Sequence, residues 1–159
     1  LHDSANTSFH YMVADSTGRS AVLEWVHDTN LTDNDGSLRE LVVTYNDDDA
    51  HIGEREAAND WQWVTNFILQ PGYYENDDAK QGFDRYNHIY EQLIGTNGVV
   101  ANEQAAMDIL AQVGRRAWNP GGKSVTVHSV VYNLTDKTAL WIPNEHFDDE
   151  NAVFTYTAK

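Results

Sequence analysis

The chain has 159 residues, within the roughly 100–200 that one domain usually occupies, and 41% of them are apolar, enough to bury a core and exclude wholesale disorder. Its 25 Asp and Glu against 10 Lys and Arg give a formal charge of −15, which argues against nucleic acid and anionic membrane surfaces as partners. Cysteine is absent, so disulfides, thiolate metal sites and a cysteine nucleophile are all excluded from these residues.

Residues 9–15 alternate Phe9, Tyr11 and Val13 with His10, Met12 and Ala14; residues 19–26 alternate Ala21, Leu23 and Trp25 with Val22, Glu24 and Val26. Joined by Ser16-Thr17-Gly18, the two runs predict a β-hairpin whose faces are both largely apolar and therefore both buried. A polar turn cluster at 29–37 leads into a third strand at 38–45. Residues 46–60, headed by Asp47-Asp48-Asp49, read as a solvated acidic loop. Residues 61–69 contain Trp61-Gln62-Trp63-Val64-Thr65-Asn66-Phe67 and read as a further strand, stopped by Pro71-Gly72; residues 73–82 are again loop-like.

From Phe83 the apolar period lengthens to that of a helix, with Tyr86, Ile89, Tyr90, Leu93 and Ile94 on one stripe ending at Gly95. Asn102 is a good N-cap for a second helix, with Glu103 in its first turn and a stripe of Ala106, Ile109, Leu110 and Val113. Arg115 and Arg116 suit the negative end of that helix. After the breaker Asn119-Pro120-Gly121-Gly122 come three strand-like runs at 124–133, 138–142 and 152–157, the first two forming a hairpin across 134–137. The order predicts an α+β fold with a mostly antiparallel sheet and two main helices, one domain over 1–159 without an internal boundary.

General catalytic and ligand motifs are missing. The seven histidines show no zinc-helix spacing, and there is no nucleophile elbow, phosphate-binding loop or dinucleotide fingerprint, so neither metal nor cofactor is predicted. Asp33-Asn34-Asp35-Gly36 resembles part of a calcium loop, but alignment on its Gly puts Leu31 and Val42 at the first and last ligand positions. A turn rich in Asx residues is the better reading. Sequons at Asn6, Asn30 and Asn133 are expected by chance. No apolar run is long enough to span a bilayer, and the opening residues show no leader pattern.

Two residues stand out by context. Asn66 ends an aromatic run, where its amide could donate to a developing oxyanion; Arg85 lies in the first turn of an amphipathic helix in a chain poor in Arg. The plain alternatives are an Asn that terminates a strand and an Arg paired in solvent with Asp84 or Asp77.

The run from His10 to Glu24, His10-Tyr11-Met12-Val13-Ala14-Asp15-Ser16-Thr17-Gly18-Arg19-Ser20-Ala21-Val22-Leu23-Glu24, resembles the H-x-x-[VI]-A-D-x-x-G-x-S-x-V-x-E hairpin of the linear amide C–N hydrolases, the choloylglycine hydrolase family that includes bile salt hydrolases and penicillin V acylases. Three further segments resemble that family in the same order: Trp63-Val64-Thr65-Asn66-Phe67, Phe83-Asp84-Arg85-Tyr86 and Ser129-Val130-Val131-Tyr132-Asn133-Leu134.

The resemblance implies an N-terminal-nucleophile hydrolase with an αββα sandwich, in which Asn66 is the oxyanion-side amide and Arg85 the active-site Arg beside the thiolate. The family's nucleophilic Cys has no counterpart here, nor have the Asp and second Asn of its first half. The resemblance therefore implies the C-terminal portion of a longer enzyme, inactive alone, whose substrate is a small-molecule amide. It further implies association with the missing half or with a second copy, with Trp61, Ile68, Leu69 and Trp141 as the exposed apolar set. The rival reading is an acidic binding or interaction domain that keeps the fold without the chemistry; a weaker one is a related acyltransferase.

Overall fold

In the computed structural model, which describes residues 10–27, 39–47, 61–70 and 72–159, the first element is a hairpin organised by Asp15. Strands β1 (His10–Ala14) and β2 (Ser20–His27) pair antiparallel, with Ala14 opposite Ser20 and His10 opposite Glu24. At the turn, Asp15 Oδ1 accepts from the Thr17 N–H at 2.8 Å, the Thr17 hydroxyl at 2.6 Å and the Arg19 N–H at 3.3 Å. Gly18 closes it at φ +88°, a conformation that a side chain disfavours. Strand β3 (Arg39–Tyr45) pairs antiparallel with β2, so the order is β1-β2-β3.

The residues divide into two compact units, Leu1–Tyr86 and Asn87–Lys159, the boundary falling inside helix α1 (Phe83–Leu93). In the first unit the central strand β2 has buried residues on both faces, Ala21 on one and Val22 and Glu24 on the other. The prediction of a hairpin buried on both faces does not extend to β1. Tyr11, Met12 and Val13 are 37%, 47% and 49% exposed, as befits a strand with one neighbour among the described residues.

Residues 61–70 correct a second expectation, for they form no strand. Trp61 and Trp63 alternate as a strand would, but Phe67, Ile68 and Leu69 are buried in succession, and the chain bends at Asn66 and Phe67. An aromatic cluster explains the pattern better than a pleat. Trp61 stacks on Trp63 at 4.4 Å, Trp63 on Tyr86 at 4.8 Å, and Phe67 meets Tyr86 and Phe83 edge-on at 5.1 and 5.7 Å. Trp61, Ile68 and Leu69, expected at an exposed surface, are thus core residues, and Trp141 is half-buried.

The second unit contains the remainder of α1, helix α2 (Glu103–Gln112), the short helix α3 (Arg115–Trp118), and strands β4 (His128–Asn133), β5 (Thr138–Pro143) and β6 (Phe154–Thr157). These strands form an antiparallel sheet in the order β4-β5-β6, and α2 packs along β4. The fold class is α+β, with two antiparallel three-stranded sheets and two main helices.

As expected, Asn102 caps α2, accepting from the Ala105 N–H at 2.9 Å. The buried centre of α2 is Met107 rather than the predicted stripe, whose members are half-buried. Two helix ends differ from prediction. The α1 segment runs past Gly95 through a 3₁₀ turn and stops where Asn97 and Gly98 adopt positive φ. Helix α2 stops before Gly114, so Arg115 and Arg116 begin α3 instead of ending α2. Strand β4 starts four residues later than predicted, at His128; upstream, the Thr126 hydroxyl accepts from the Arg115 N–H. Residues 28–38, with the turn cluster and Asp33–Gly36 tetrapeptide, residues 48–60 of the acidic stretch, Pro71, and the sequons at Asn6 and Asn30 lie outside the described residues.

The third sequon is engaged. Asn133 Nδ2 donates to Glu103 Oε1 at 2.6 Å and to Asp136 Oδ2 at 2.9 Å, while its Oδ1 accepts from the Thr135 and Asp136 N–H groups across the β4–β5 turn.

Three carboxyls, the exposed Asp15 and Asp149 and the half-buried Glu103, are held below the usual carboxylate range. The Thr17 hydroxyl is the main cause for Asp15, the Asn133 side-chain amide for Glu103, and the Asn151 backbone N–H for Asp149. Each group binds its proton less readily folded than unfolded, so its contribution to stability is complete above the ordinary carboxylate value and is lost as pH falls through the depressed one. The melting temperature should therefore decline below about pH 4, and Asp15→Asn should remove part of that decline. A melting temperature that rose on acidification through this range would contradict the assignment.

Candidate functional site

Asn66 and Arg85 come together within the first unit. The Arg85 guanidinium donates through Nη2 to Asn66 Oδ1, although the two lie 19 positions apart in the chain. Guanidinium has no acceptor, so the contact fixes the amide's orientation, with oxygen toward Arg85 and NH₂ left as the donating end. Asn66 is exposed and Arg85 half-buried. Of the two acids that the plain alternative offered to Arg85, Asp84 and Asp77, the second is engaged elsewhere. Asp77 Oδ1 instead receives Lys80 Nζ at 2.6 Å, and Asp84 Oδ1 accepts the backbone N–H of Arg85 at 2.9 Å.

The connection between the two residues folds back on itself. Asn76 caps a 3₁₀ turn at Asp77–Ala79, the Phe83 N–H donates to the Lys80 carbonyl at 3.1 Å, and Lys80 Nζ lies 4.7 Å from the centre of the Phe83 ring. The Thr65 hydroxyl then donates to the Gly82 carbonyl at 2.9 Å, tying the residue before Asn66 to the start of α1. Gly82 has φ +80°, and a Cβ there would lie 2.7 Å from Arg85 Nη2 and 3.3 Å from Asn66 Oδ1. Glycine is therefore required twice, for backbone conformation and for the space that the Arg85–Asn66 contact occupies.

The hairpin secures the Asn66 segment at both ends. Near its start, Ser20 Oγ donates to Gln62 Oε1 at 2.9 Å, and Gln62 Nε2 donates to the Thr44 carbonyl at 2.9 Å, as a neighbouring strand's N–H would. Near its end, the Leu69 N–H lies 3.0 Å from both carboxylate oxygens of Glu24. Glu24 is fully buried, and His10 Nδ1 approaches its Oε1 at 3.2 Å. The adjacent Ile68 N–H donates to the Tyr74 hydroxyl at 3.1 Å; burial pushes the Tyr74 phenol up from its usual value.

The polar residues of the His10–Glu24 run thus have local physical roles. Asp15 and Gly18 make the turn, Ser20 and Glu24 hold the Asn66 segment, and His10 meets Glu24. Sequence reasoning singled out Asn66 and Arg85 but passed over Glu24, Gly82 and Thr65. The signal for Glu24 was present: an acid between Val22-Leu23 and Trp25-Val26 sits where a strand is apolar on both sides. Gly82 could have been noticed as the residue immediately before a helix whose first turn carries Arg85.

Chemically, the pair presents a guanidinium cation beside an amide NH₂ donor, a combination that stabilises a negatively charged sulfur or oxygen. Among the described residues, no group of three His, Asp or Glu is placed to hold a metal ion, and no helix is long and apolar enough to cross a membrane. No family model matches the chain, and neither a curated protein nor a solved structure matches it.

Proposed function

We propose that this chain is part of a hydrolase of linear, non-peptide amide bonds of the choloylglycine hydrolase type. In this reading it supplies the oxyanion-side amide, Asn66, and the thiolate-side cation, Arg85, while the nucleophilic Cys comes from outside these 159 residues. The observation that carries the reading is the Arg85–Asn66 contact, because two groups that serve one reacting centre must converge from distant positions in the chain. The sequence resemblance supports it independently.

The division of labour follows from charge. Arg85 favours a neighbouring thiolate over the thiol by opposing its negative charge. The Asn66 NH₂ donates to the oxygen that becomes anionic when the amide carbonyl is attacked, a contribution of about 100-fold or more in rate for a single such donor.

The chain alone is expected to cleave neither penicillin V nor a bile-salt amide above a buffer control, since no nucleophile with a matched base is present. Upstream in the gene, a Cys codon at the start of the mature enzyme is expected. In the protein expressed from that codon, Asn66→Ala should lower kcat by about 100-fold. A reading frame without such a Cys, or full activity in Asn66→Ala, would reject the reading. The first result would favour an acidic interaction domain.

A further inference from the structure

Glu24 is a carboxylate with no exposed surface, and charge in that position is costly unless its partners are specific. Its partners are the Leu69 N–H, 3.0 Å from both oxygens, and His10 Nδ1, 3.2 Å from one. Leu69 belongs to the segment that carries Asn66. We propose that Glu24, aligned by His10, is a positioning residue that holds the Asn66 amide where it meets Arg85. This rests on the reading of Asn66 as a site residue and gives the His10–Glu24 run a task within that site.

The geometry of the two anchors explains how the positioning works. Ser20 and Glu24 lie four residues apart on β2, with side chains on one face, so their backbone positions are about 13 Å apart. The chain they hold, from Gln62 to Leu69, is eight residues long, and its seven steps would span about 23–25 Å if extended. Held at both ends, it has more length than the gap requires. The surplus is taken up at the Asn66–Phe67 bend, which leaves Asn66 exposed while Phe67, Ile68 and Leu69 turn into the core. Releasing the Leu69 anchor removes the constraint that makes the chain bow at that residue. The carboxyl group suits the task because both of its oxygens lie within hydrogen-bond distance of the Leu69 N–H.

The test uses the intact 159-residue chain and two-dimensional ¹H–¹⁵N NMR, with the Asn66 side-chain NH₂ pair assigned by its loss in Asn66→Asp. In Glu24→Leu, circular dichroism and overall amide dispersion should report a folded protein. The Asn66 NH₂ resonances should move to the positions of an unrestrained Asn, and hydrogen exchange at the Leu69 amide should accelerate about tenfold or more. Glu24→Gln, which keeps one acceptor oxygen, should restore part of both signals. Val22→Ala, a core truncation on the same strand, should leave the Asn66 resonances in place below its unfolding transition.

Unmoved Asn66 and Leu69 signals in folded Glu24→Leu would overturn the proposal. So would an equal displacement in Val22→Ala, since that would mark a general loss of packing. Should Glu24→Leu fail to fold, His10→Ala with Glu24→Gln decides. Displaced Asn66 resonances in that pair support the proposal, and unchanged ones overturn it. These signals come from the chain itself, so the absence of amidase activity in the longer protein would count only against the proposed function.

Discussion

Phe67→Ala is expected to destabilise the first unit by about 3–5 kcal/mol, the usual range for deleting a buried aromatic ring. Phe67 is 1% exposed and meets the rings of Tyr74, Phe83 and Tyr86 edge-on at 6.3, 5.7 and 5.1 Å. Its neighbours are poorly placed to close the space, because Tyr86 is already stacked on Trp63 at 4.8 Å. A loss of this size is a large part of the roughly 5–15 kcal/mol that stabilises a typical domain. The midpoint of urea denaturation, with an unchanged slope, measures it. A loss below about 1 kcal/mol would mean that the ring contributes little to the core.

Glu145→Ala is expected to cost about 2 kcal/mol in the second unit, through a carboxylate that plays the same part there as Glu24 does in the first. Glu145 is 7% exposed, and both its oxygens accept from the Arg116 N–H, at 3.0 and 3.2 Å. Removing it leaves that donor at the start of α3 without its acceptor. Gly114→Ala should approach the same loss by another route. A Cβ at Gly114 would collide with Glu145 Oε1 and sit 3.2 Å from the Ala111 carbonyl, so the carboxylate would be displaced. Backbone strain plays no part, since Gly114 has φ −62°. Thermal melts of the two variants check the account. A Gly114→Ala protein as stable as the parent would show that the space beside Glu145 is not needed.

The elements that sequence periodicity marked clearly are those whose stability is local. The Asp15 turn, the Asn102 cap and the bonds that Asn133 Oδ1 accepts across the β4–β5 turn each bring their partners within four residues, so residue type and spacing already describe them. Residues 61–70 were misread for the opposite reason. The alternation of Trp61 and Trp63 is produced by stacking against Tyr86, a residue of another element, and by Gln62 reaching Thr44. No local pattern distinguishes that from a pleat. The break between α2 and α3 was hidden similarly, because Gly114 is needed for Glu145, 31 positions later in the chain.

For the candidate site, context and resemblance singled out Asn66 and Arg85 without fixing the path between them. The 18 residues between them can close almost any gap, so proximity follows only from the fold-back at Asn76–Gly82, where a capped turn and a positive-φ glycine redirect the chain. The supporting residues were less legible still. Glu24 was visible as an unusual acid, but its partner Leu69 has nothing in its side chain to announce the contact, since it donates through its backbone.

The anchoring of Asn66 from β2 also bears on the order in which the chain assembles. The β1–β2 pairing closes across at most 14 residues, and hairpins of this kind form in about 1–10 μs. The Ser20–Gln62 and Glu24–Leu69 bonds span 42 and 45 residues, and the entropy of closing those loops must be met before either bond can form. The hairpin thus closes from local contacts, whereas the two anchors that join it to residues 62–69 wait on the closure of far longer loops. A nascent chain is therefore expected to pair β1 with β2 before it closes either the Ser20–Gln62 or the Glu24–Leu69 bond.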